Sequence, residues 1–125
     1  MQKSRQNALP TSLRQEDLFK RFITLLKEKH SHEHFSLFYA EQLCVTPKYL
    51  TTVVKKVSGK GVSQWIDIYL MDQIIFHLKT TNLTIAEIAD KLNFSNASFF
   101  GKYVKVHTGE SPTKLRRTLQ AALRI

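Results

Sequence analysis

Two stretches of the sequence concentrate positive charge, which is the chemistry that binds a polyanion. Residues 48–60 contain four lysines and no acidic residue, and residues 96–125 contain six Lys or Arg against the single acid Glu110. The segment between them, residues 61–95, holds four acidic residues and two lysines. A solvated surface helix normally mixes both signs, so two basic segments around a non-basic one predict two footprints on one polyanion.

The histidine-rich sequence around His30, His32 and His34, with Glu33 between them, offers ligands of the kind that bind Zn²⁺. These residues fall in a connection between predicted helices, whereas metal ligands sit on rigid elements, so the pattern favours a solvated loop over a metal site. Cys44 is predicted on the inner face of a short helix with no histidine placed to deprotonate it, which favours a core position.

No set of residues has the spacing of a catalytic centre. Paired carboxylates, a phosphate-cradling glycine loop and a Ser/His/Asp arrangement cannot be located in the sequence. The sequence therefore predicts a protein that is not an enzyme and that uses no cofactor and no metal.

The chain has 125 residues, of which 42% are hydrophobic, and a formal net charge of +9. This is the balance of one globular domain, and the charge favours nucleic acid or an anionic membrane surface as partner. The single cysteine excludes an internal disulfide and the first thirty residues lack a signal-peptide core, so a cytoplasmic protein is predicted. No apolar run reaches the roughly eighteen residues of a spanning helix, so the domain is predicted to be soluble. Of the two polyanions, nucleic acid is the predicted partner, and no membrane contact is predicted for this domain.

Apolar residues recur at helical spacing throughout, and four glycines and three prolines leave little turn material for a sheet, so the fold class is predicted as all-α. Helices are predicted over about 13–30, 37–44, 47–58, 63–79, 85–92, 97–107 and 113–123. Their predicted starts are marked by Ser12 with Gln15, by Thr46 before Pro47, by Thr84 with Glu87, by Ser95 or Asn96, and by Ser111 before Pro112, and their predicted ends by Gly59, Asn93 and Gly109.

The same spacing predicts which residues face the core, with Trp65 as a packing anchor. The predicted inner faces comprise Leu37, Ala40, Leu43 and Cys44 on the second helix, Leu50, Val53, Val54 and Val57 on the third, and Phe99, Phe100, Tyr103 and Val106 on the sixth.

A repeat joins the two basic stretches. Residues 40–59, AEQLCVTPKYLTTVVKKVSG, align with residues 89–109, ADKLNFSNASFFGKYVKVHTG, once one extra residue is placed in the second turn. Each copy has a short helix, a turn containing Thr46 or Ser95, a second helix with a Val-Lys pair, and a terminal glycine. Both copies are interpreted as helix-turn-helix units, whose second helix is built to enter a groove of duplex DNA.

The sequence resembles the paired helix-turn-helix DNA-binding domain of AraC/XylS-type bacterial transcription regulators. The strongest likeness is in TIAEIADKLNFSNASFFGKYVKVHTGESPTKLRR, with its Ile-Ala pair, its aromatic pair before a basic position and its closing G-x-S-P, and it extends over about residues 36–117. The resemblance implies two helix-turn-helix subdomains, a homeodomain-like pair, joined by a long connecting helix and preceded by one extra helix. The corresponding boundaries are 1–12 for a tail or linker remnant, 13–34 for the lead-in helix, 35–61 for the first unit, 62–80 for the connecting helix, and 81–125 for the second unit with the C-terminal helix.

The resemblance also implies roles for individual side chains. Helix geometry agrees with them, since 48, 51, 52 and 55 share one face, as do 98, 102 and 105. The predicted base-reading residues are Lys48, Thr51, Thr52, Asn96, Ser98 and Lys102, and the predicted phosphate-binding residues are Thr46, Lys55, Lys56, Ser95 and Lys105.

Three positions depart from what the family usually has. Asn93 stands where the family often has glycine, Lys102 where it often has arginine, and Tyr69-Leu70 where the connecting helix usually begins with Arg-Ile or Arg-Leu. The fold is unaffected by these differences, but the DNA target cannot be transferred from other members.

The implied function is sequence-specific binding of double-stranded promoter or operator DNA by a bacterial transcription regulator, with recognition helices at about 47–58 and 97–107 in successive major grooves. RNA polymerase is a further expected partner, and an N-terminal sensor domain of a longer parent chain is expected to be missing here. Two alternatives stay open: the output domain of a hybrid two-component sensor kinase, and a helical protein-interaction module.

Overall fold

The computed structural model describes residues 10–123, and within this range all regular structure is α-helical, as predicted. Residues 1–9 of the predicted tail (residues 1–12) lie outside the described residues, as do residues 124 and 125 of the predicted second unit. None of the described helices is both long and apolar enough to cross a lipid bilayer. In chain order the helices are α1 (Thr11–Lys29), α2 (Ser36–Gln42), α3 (Pro47–Ser58), α4 (Val62–Thr80), α5 (Ile85–Lys91), α6 (Ala97–Thr108) and α7 (Pro112–Leu123).

Helix α1 begins earlier than predicted, and the capping box expected from Ser12 and Gln15 is wrong. Pro10 is the residue before the helix, and no side chain caps the first turn. The carbonyl of Pro10 accepts the N–H of Arg14 at 3.0 Å, so the helix already includes Ser12. Because a helical Ser12 is past the capping position, its hydroxyl cannot perform the capping role.

The chain divides into two compact units between Asp67 and Ile68, a boundary that falls inside α4. A single helix therefore supplies residues to two cores. The buried residues of the first unit are Leu18, Phe22 and Leu26 from α1, Tyr39 and Ala40 from α2, Leu43 after it, Leu50, Val53 and Val54 from α3, and Val62 and Ile66 from α4.

The junction between α1 and α2 is tied to the first core rather than solvated throughout. The Tyr39 ring meets Phe22 edge-on with centroids 5.6 Å apart, and its hydroxyl donates to the carbonyl of Glu33 at 2.7 Å. Burial, with Glu33 as second cause, raises the pKa of Tyr39. His30 is buried with Nδ1 2.8 Å from the carbonyl of Leu26, so the solvated-loop prediction is wrong for this histidine.

Helix α2 is shorter than predicted, and this changes which of its residues face the core. It ends at Gln42, so Cys44 lies in the following turn with a φ of 58° and is exposed. Leu37 is also exposed, because the helical phase is set by Tyr39, Ala40 and Leu43. The predicted core positions of Leu37 and Cys44 are therefore wrong.

We expect Cys44→Gly to raise the free energy of unfolding by about 0.5–1 kcal/mol, because a left-handed φ strains a residue with a Cβ and does not strain glycine. The measurement is urea unfolding followed by circular dichroism. Asn93 has a similar φ of 62°, but asparagine tolerates this region, so the matched Asn93→Gly variant is expected to change stability little. Equal gains at the two positions would contradict the strain account.

Trp65 anchors the start of α4 in the first unit, as predicted. Its ring lies 5.8 Å from that of Phe19, centroid to centroid, and its indole N–H donates to the hydroxyl of Ser58 at 2.9 Å. The ammonium of Lys60 lies 5.5 Å from the ring centroid, within the range of a cation–π interaction. The end of α3 and the first turn of α4 are thus held around one indole.

The second unit is built on the C-terminal part of α4, whose inner face carries three aliphatic residues. An edge-on pair, Phe94 with Phe100 at 5.0 Å between centroids, lies in the same core. The buried residues of this core are Leu70, Ile74 and Leu78 from α4, Ile88, Ala89 and Leu92 from α5 and its end, Phe94, and Phe100 and Val104 from α6.

Arg116 of α7 ties the end of α4 to the rest of the second unit. Its Nε donates to the carbonyl of Leu78 at 3.1 Å, and its Nη1 to that of Leu83 at 2.6 Å. Its Nη2 lies 3.3 Å from the carbonyls of both His77 and Thr81. Carbonyls at the C-terminal end of a helix carry partial negative charge, and most of them lack a helical N–H partner, so they are favourable acceptors for a guanidinium.

Candidate nucleic-acid interface

The turn between the two helices of each unit has the same backbone geometry in both copies. Cys44 and Asn93 occupy the left-handed region, with φ of 58° and 62°. The next residues, Val45 and Phe94, each donate their N–H to the carbonyl five residues earlier, at 3.0 and 2.9 Å. The repeat seen in the sequence is therefore a repeat of hydrogen bonds, built from different side chains.

The start of the second helix is capped in both units, but not by the pair of residues that the sequence alignment matched. The hydroxyl of Thr46 accepts the N–H of Tyr49 at 3.1 Å, and Oδ1 of Asn96 accepts the N–H of Phe99 at 2.7 Å. Thr46 thus corresponds to Asn96, and Ser95 is the extra residue of the second turn. Of the two predicted caps, Asn96 is the one used.

The ends of the recognition helices α3 and α6 are also duplicated. Each closes on a glycine in the left-handed region, Gly59 with φ of 78° and Gly109 with φ of 82°. The hydroxyls of Ser58 and Thr108 each donate to the carbonyl four residues earlier, at 2.6 and 2.8 Å, and accept the N–H two residues later at 3.2 Å. Both helices therefore have fixed beginnings and ends.

Helix α5, which precedes the second recognition helix, begins with the predicted capping box. The N–H of Thr84 donates to Oε1 of Glu87 at 2.8 Å, and the N–H of Glu87 donates to the hydroxyl of Thr84 at 3.0 Å. These bonds favour the ionised carboxylate and lower the pKa of Glu87. The box fixes the helix on which the second turn is built.

Helix α3 separates a buried face from an exposed polar one. Leu50, Val53 and Val54 are fully buried, and Val57, predicted as core, is half-buried. The hydroxyl of Thr52 donates back to the carbonyl of Lys48 at 2.9 Å, and the ammonium of Lys55 donates to the carbonyl of Gly59 at 3.1 Å. The structure exposes all the predicted DNA contacts of the first unit: Thr46, Lys48, Thr51, Thr52, Lys55 and Lys56.

Helix α6 has the same arrangement with a different helical phase from the one predicted. Its buried residues are Phe100 and Val104, one turn apart, with Tyr103 half-buried. Phe99 is 53% exposed and Val106 81% exposed, so their predicted core positions are wrong. Both lie off the face that Phe100 and Val104 define. The predicted DNA contacts of this unit are all exposed: Ser95, Asn96, Ser98, Lys102 and Lys105.

Neither recognition helix carries an acidic residue, and the exposed face of each offers lysine ammonium groups and hydroxyl groups. Such a surface matches the phosphates and the base-edge acceptors of DNA. Gly101 adds no side chain, and a Cβ built there would have no atom within 4 Å. Among residues 10–123, no three His, Cys, Asp or Glu side chains are grouped so that they could hold a metal ion.

The sequence charge count overstated this interface by one residue. Arg116 was counted in the basic stretch 96–125, but its guanidinium donates to four backbone carbonyls within the second unit. Leu115 and Leu119 of α7 pack on the second core, and Arg116 lies next to the first and one turn before the second. This spacing was the signal in the sequence that Arg116 lies near the core-facing side of α7.

Two successive helix-turn-helix units, each exposing an acid-free second helix, define a DNA-binding domain of the tandem helix-turn-helix class. The family model described as a helix-turn-helix domain matches residues 39–118. The chain belongs to the AraC/XylS-type helix-turn-helix family of DNA-binding transcription regulators.

Two curated relatives are bacterial operon regulators. The chain is 30% identical over 81 residues to the Msm operon regulatory protein of Streptococcus mutans, covering 65% of this chain and 29% of that protein. It is 27% identical over 77 residues to the arabinose operon regulatory protein of Escherichia coli, covering 62% of this chain and 26% of that protein. The chain thus spans less than a third of the length of these relatives.

Solved structures share the fold. The C-terminal domain of AraT, a response regulator from Geobacillus stearothermophilus, superposes with a TM-score of 0.75 at 26% identity, covering 81% of this chain and 84% of that one. The DNA-binding domain of AdpA, a global transcriptional factor solved with a target DNA, superposes with a TM-score of 0.73 at 15% identity. The latter match covers 83% of this chain and 94% of that one, and at this identity it shows the fold alone.

Proposed function

We propose that this chain recognises a specific promoter or operator sequence in double-stranded DNA by placing α3 and α6 in successive major grooves on one face of the duplex. The observation that carries the proposal is the duplicated, capped helix with an exposed face of hydroxyls and ammonium groups and no acid. One turn of DNA repeats after roughly 34 Å, which is the separation that two such helices must match when bound.

Base reading is assigned to the side chains at the centre of each exposed face. On α3 these are Lys48, Thr51 and Thr52, and on the second unit Asn96, Ser98 and Lys102 remain the predicted readers. Because Oδ1 of Asn96 already accepts a backbone N–H, its side-chain NH₂ is the group proposed to meet a base or phosphate. The predicted phosphate contacts are Thr46, Lys55, Lys56, Ser95 and Lys105.

The test is hydroxyl-radical footprinting on duplexes selected from a random pool. Two protected tracts one helical turn apart are expected, and binding must persist against an excess of unrelated DNA. Thr51→Asp is expected to remove protection at one tract and Ser98→Asp at the other, because a carboxylate on either exposed face repels phosphates. A single protected tract would refute the placement of both helices in successive grooves. Loss of protection when the unrelated DNA is added would refute sequence-specific binding and favour the protein-interaction module.

Lys55→Ala and Lys105→Ala are each expected to weaken binding to all DNA sequences about equally. Each variant is expected to release about one counterion fewer when it binds, so the slope of log affinity against log salt becomes less steep by roughly one. Binding titrations at several salt concentrations measure this slope. Lys27→Ala, an exposed lysine of α1, serves as control and is expected to leave the slope unchanged. An altered ranking of DNA variants at unchanged slope would contradict the phosphate assignment.

The parent protein is proposed to be a cytoplasmic regulator in which a sensor domain precedes this DNA-binding part, with RNA polymerase as the machinery it influences. The curated relatives are operon regulators more than three times the matched length. The output domain of a two-component protein is the second candidate, favoured by the 26% identity to the C-terminal domain of a response regulator. The residues preceding this segment in the parent chain decide between a phosphate-accepting receiver, a sensor kinase and a small-molecule sensor.

A further inference from the structure

The first turns of the two recognition helices expose different chemistry at equivalent positions. Helix α3 begins with a proline, a lysine and a tyrosine, whereas α6 begins with Ala97, Ser98 and Phe99. All three residues of the α6 turn are exposed, and Gly101 one turn on adds no side chain. The N-terminal end of α6 therefore presents an apolar surface around a single hydroxyl.

Phe99 is held in place rather than loosely exposed. Its backbone N–H donates to Oδ1 of Asn96 at 2.7 Å, and its ring lies 6.1 Å from that of Phe94, centroid to centroid, at an interplanar angle of 44°. Phe94 is itself a core residue. The Phe99 ring is thus supported from the core side and still 53% exposed.

We infer that α6 recognises thymine by its 5-methyl group, through the exposed ring of Phe99 with Ala97 beside it. The inference rests on the proposed function. The N-terminal residues of a recognition helix contact base edges, and the only apolar group on a base edge in the major groove is the thymine methyl. Phe and Ala are side chains that make this contact.

The charge around this apolar surface favours DNA over an apolar protein partner. Lys102 and Lys105 are exposed on the same helix, and α6 carries no acid. Thymine methyls on the wall of the major groove lie beside phosphates, so an apolar ring next to lysines is complementary to that wall. On α6, burial of a thymine methyl would then add to the hydrogen bonds proposed for Ser98 and Lys102.

The experiment replaces thymine by uracil, which removes the methyl and keeps the base pairing. A duplex selected from a random pool is synthesised with uracil at each thymine of the tract that Ser98→Asp unprotects. Wild type is expected to bind the uracil duplex about three- to fivefold more weakly at one or two positions, the effect of one buried methyl. Phe99→Ala is expected to bind the thymine and uracil duplexes equally.

The controls separate this contact from folding and from the proposed function. Val106→Ala changes another exposed apolar residue two turns along the same helix and is expected to keep the thymine preference. Phe99→Leu keeps an apolar side chain at this position and is expected to keep part of the thymine preference. The ratio between two duplexes does not depend on the fraction of protein folded.

A wild-type protein that selects a sequence yet binds thymine and uracil equally throughout the tract would overturn the inference and leave the proposed function standing. So would equal weakening of both duplexes by Phe99→Ala with the preference retained, because the thymine methyl would then be recognised by another group. A selection that yields no sequence preference would overturn the proposed function and this inference with it.

Discussion

Arg116→Ala is expected to lower the free energy of unfolding by about 2–3 kcal/mol and the Tm by about 10 °C. The guanidinium donates to the carbonyls of Leu78, Leu83, His77 and Thr81, which belong to the last turn of α4 and the segment after it. Removing it leaves these half-buried acceptors without their charged partner at the negative end of a helix dipole. Thermal unfolding followed by circular dichroism at 222 nm measures the loss.

Arg117 provides the matched control, since it is the adjacent arginine on the same helix and is exposed. Arg117→Ala removes the same charge and is expected to change stability by less than about 0.5 kcal/mol. Arg116→Lys keeps the charge but replaces the planar fork with one ammonium, so an intermediate loss is expected. If Arg116→Ala and Arg117→Ala were equally stable, the guanidinium contacts would carry no net stabilisation.

Lys102→Ala is expected to relax base preference at one or two adjacent base pairs, by about 1–3 kcal/mol or five- to 150-fold between the best and the other bases. Lys102 is exposed on α6 one turn after Ser98, in the position that corresponds to Thr52 on α3. A lysine here can donate to the O6 and N7 acceptors of guanine. Quantitative binding to a panel of single-base operator variants measures the preference.

Two further variants make the Lys102 result interpretable. Lys102→Arg is expected to retain or sharpen a guanine preference, because the guanidinium fork matches both acceptors. Lys105→Ala, on the same helix, is expected to lower affinity without changing the ranking of operators. The stability of Lys102→Ala is expected to match wild type, since the side chain is exposed. Uniform weakening on every operator would reassign Lys102 from base reader to phosphate contact.

The helices and most of their ends could be predicted from the sequence because local chemistry determines them. Thr46 before a proline, the Thr84–Glu87 box, and the residues Asn93, Gly59 and Gly109 each act within one turn of the chain. Apolar spacing then identified the buried side of α3, where Leu50, Val53 and Val54 lie at helical intervals. The tandem arrangement followed from the repeat.

The errors arose where tertiary packing chooses between two acceptable local patterns. Two adjacent phenylalanines lie in the first turn of α6, and only the core of the second unit decides that Phe100 is buried and Phe99 exposed. The apolar spacing extended α2 to Cys44 and so predicted a core position for this residue. The turn ends the helix at Gln42 instead, which leaves Cys44 exposed. The role of Arg116 depends on carbonyls more than 30 residues away in sequence, which no local pattern encodes.

Trp65 is the only tryptophan of the chain and lies within the first unit. Its indole N–H bonded to Ser58 and its ring against Phe19 make the emission spectrum sensitive to loss of that packing. The second unit contains no tryptophan, so intrinsic fluorescence reports one half of the chain while circular dichroism reports the helices of both. The chain therefore carries a built-in optical probe that distinguishes the melting of its two halves without any added label.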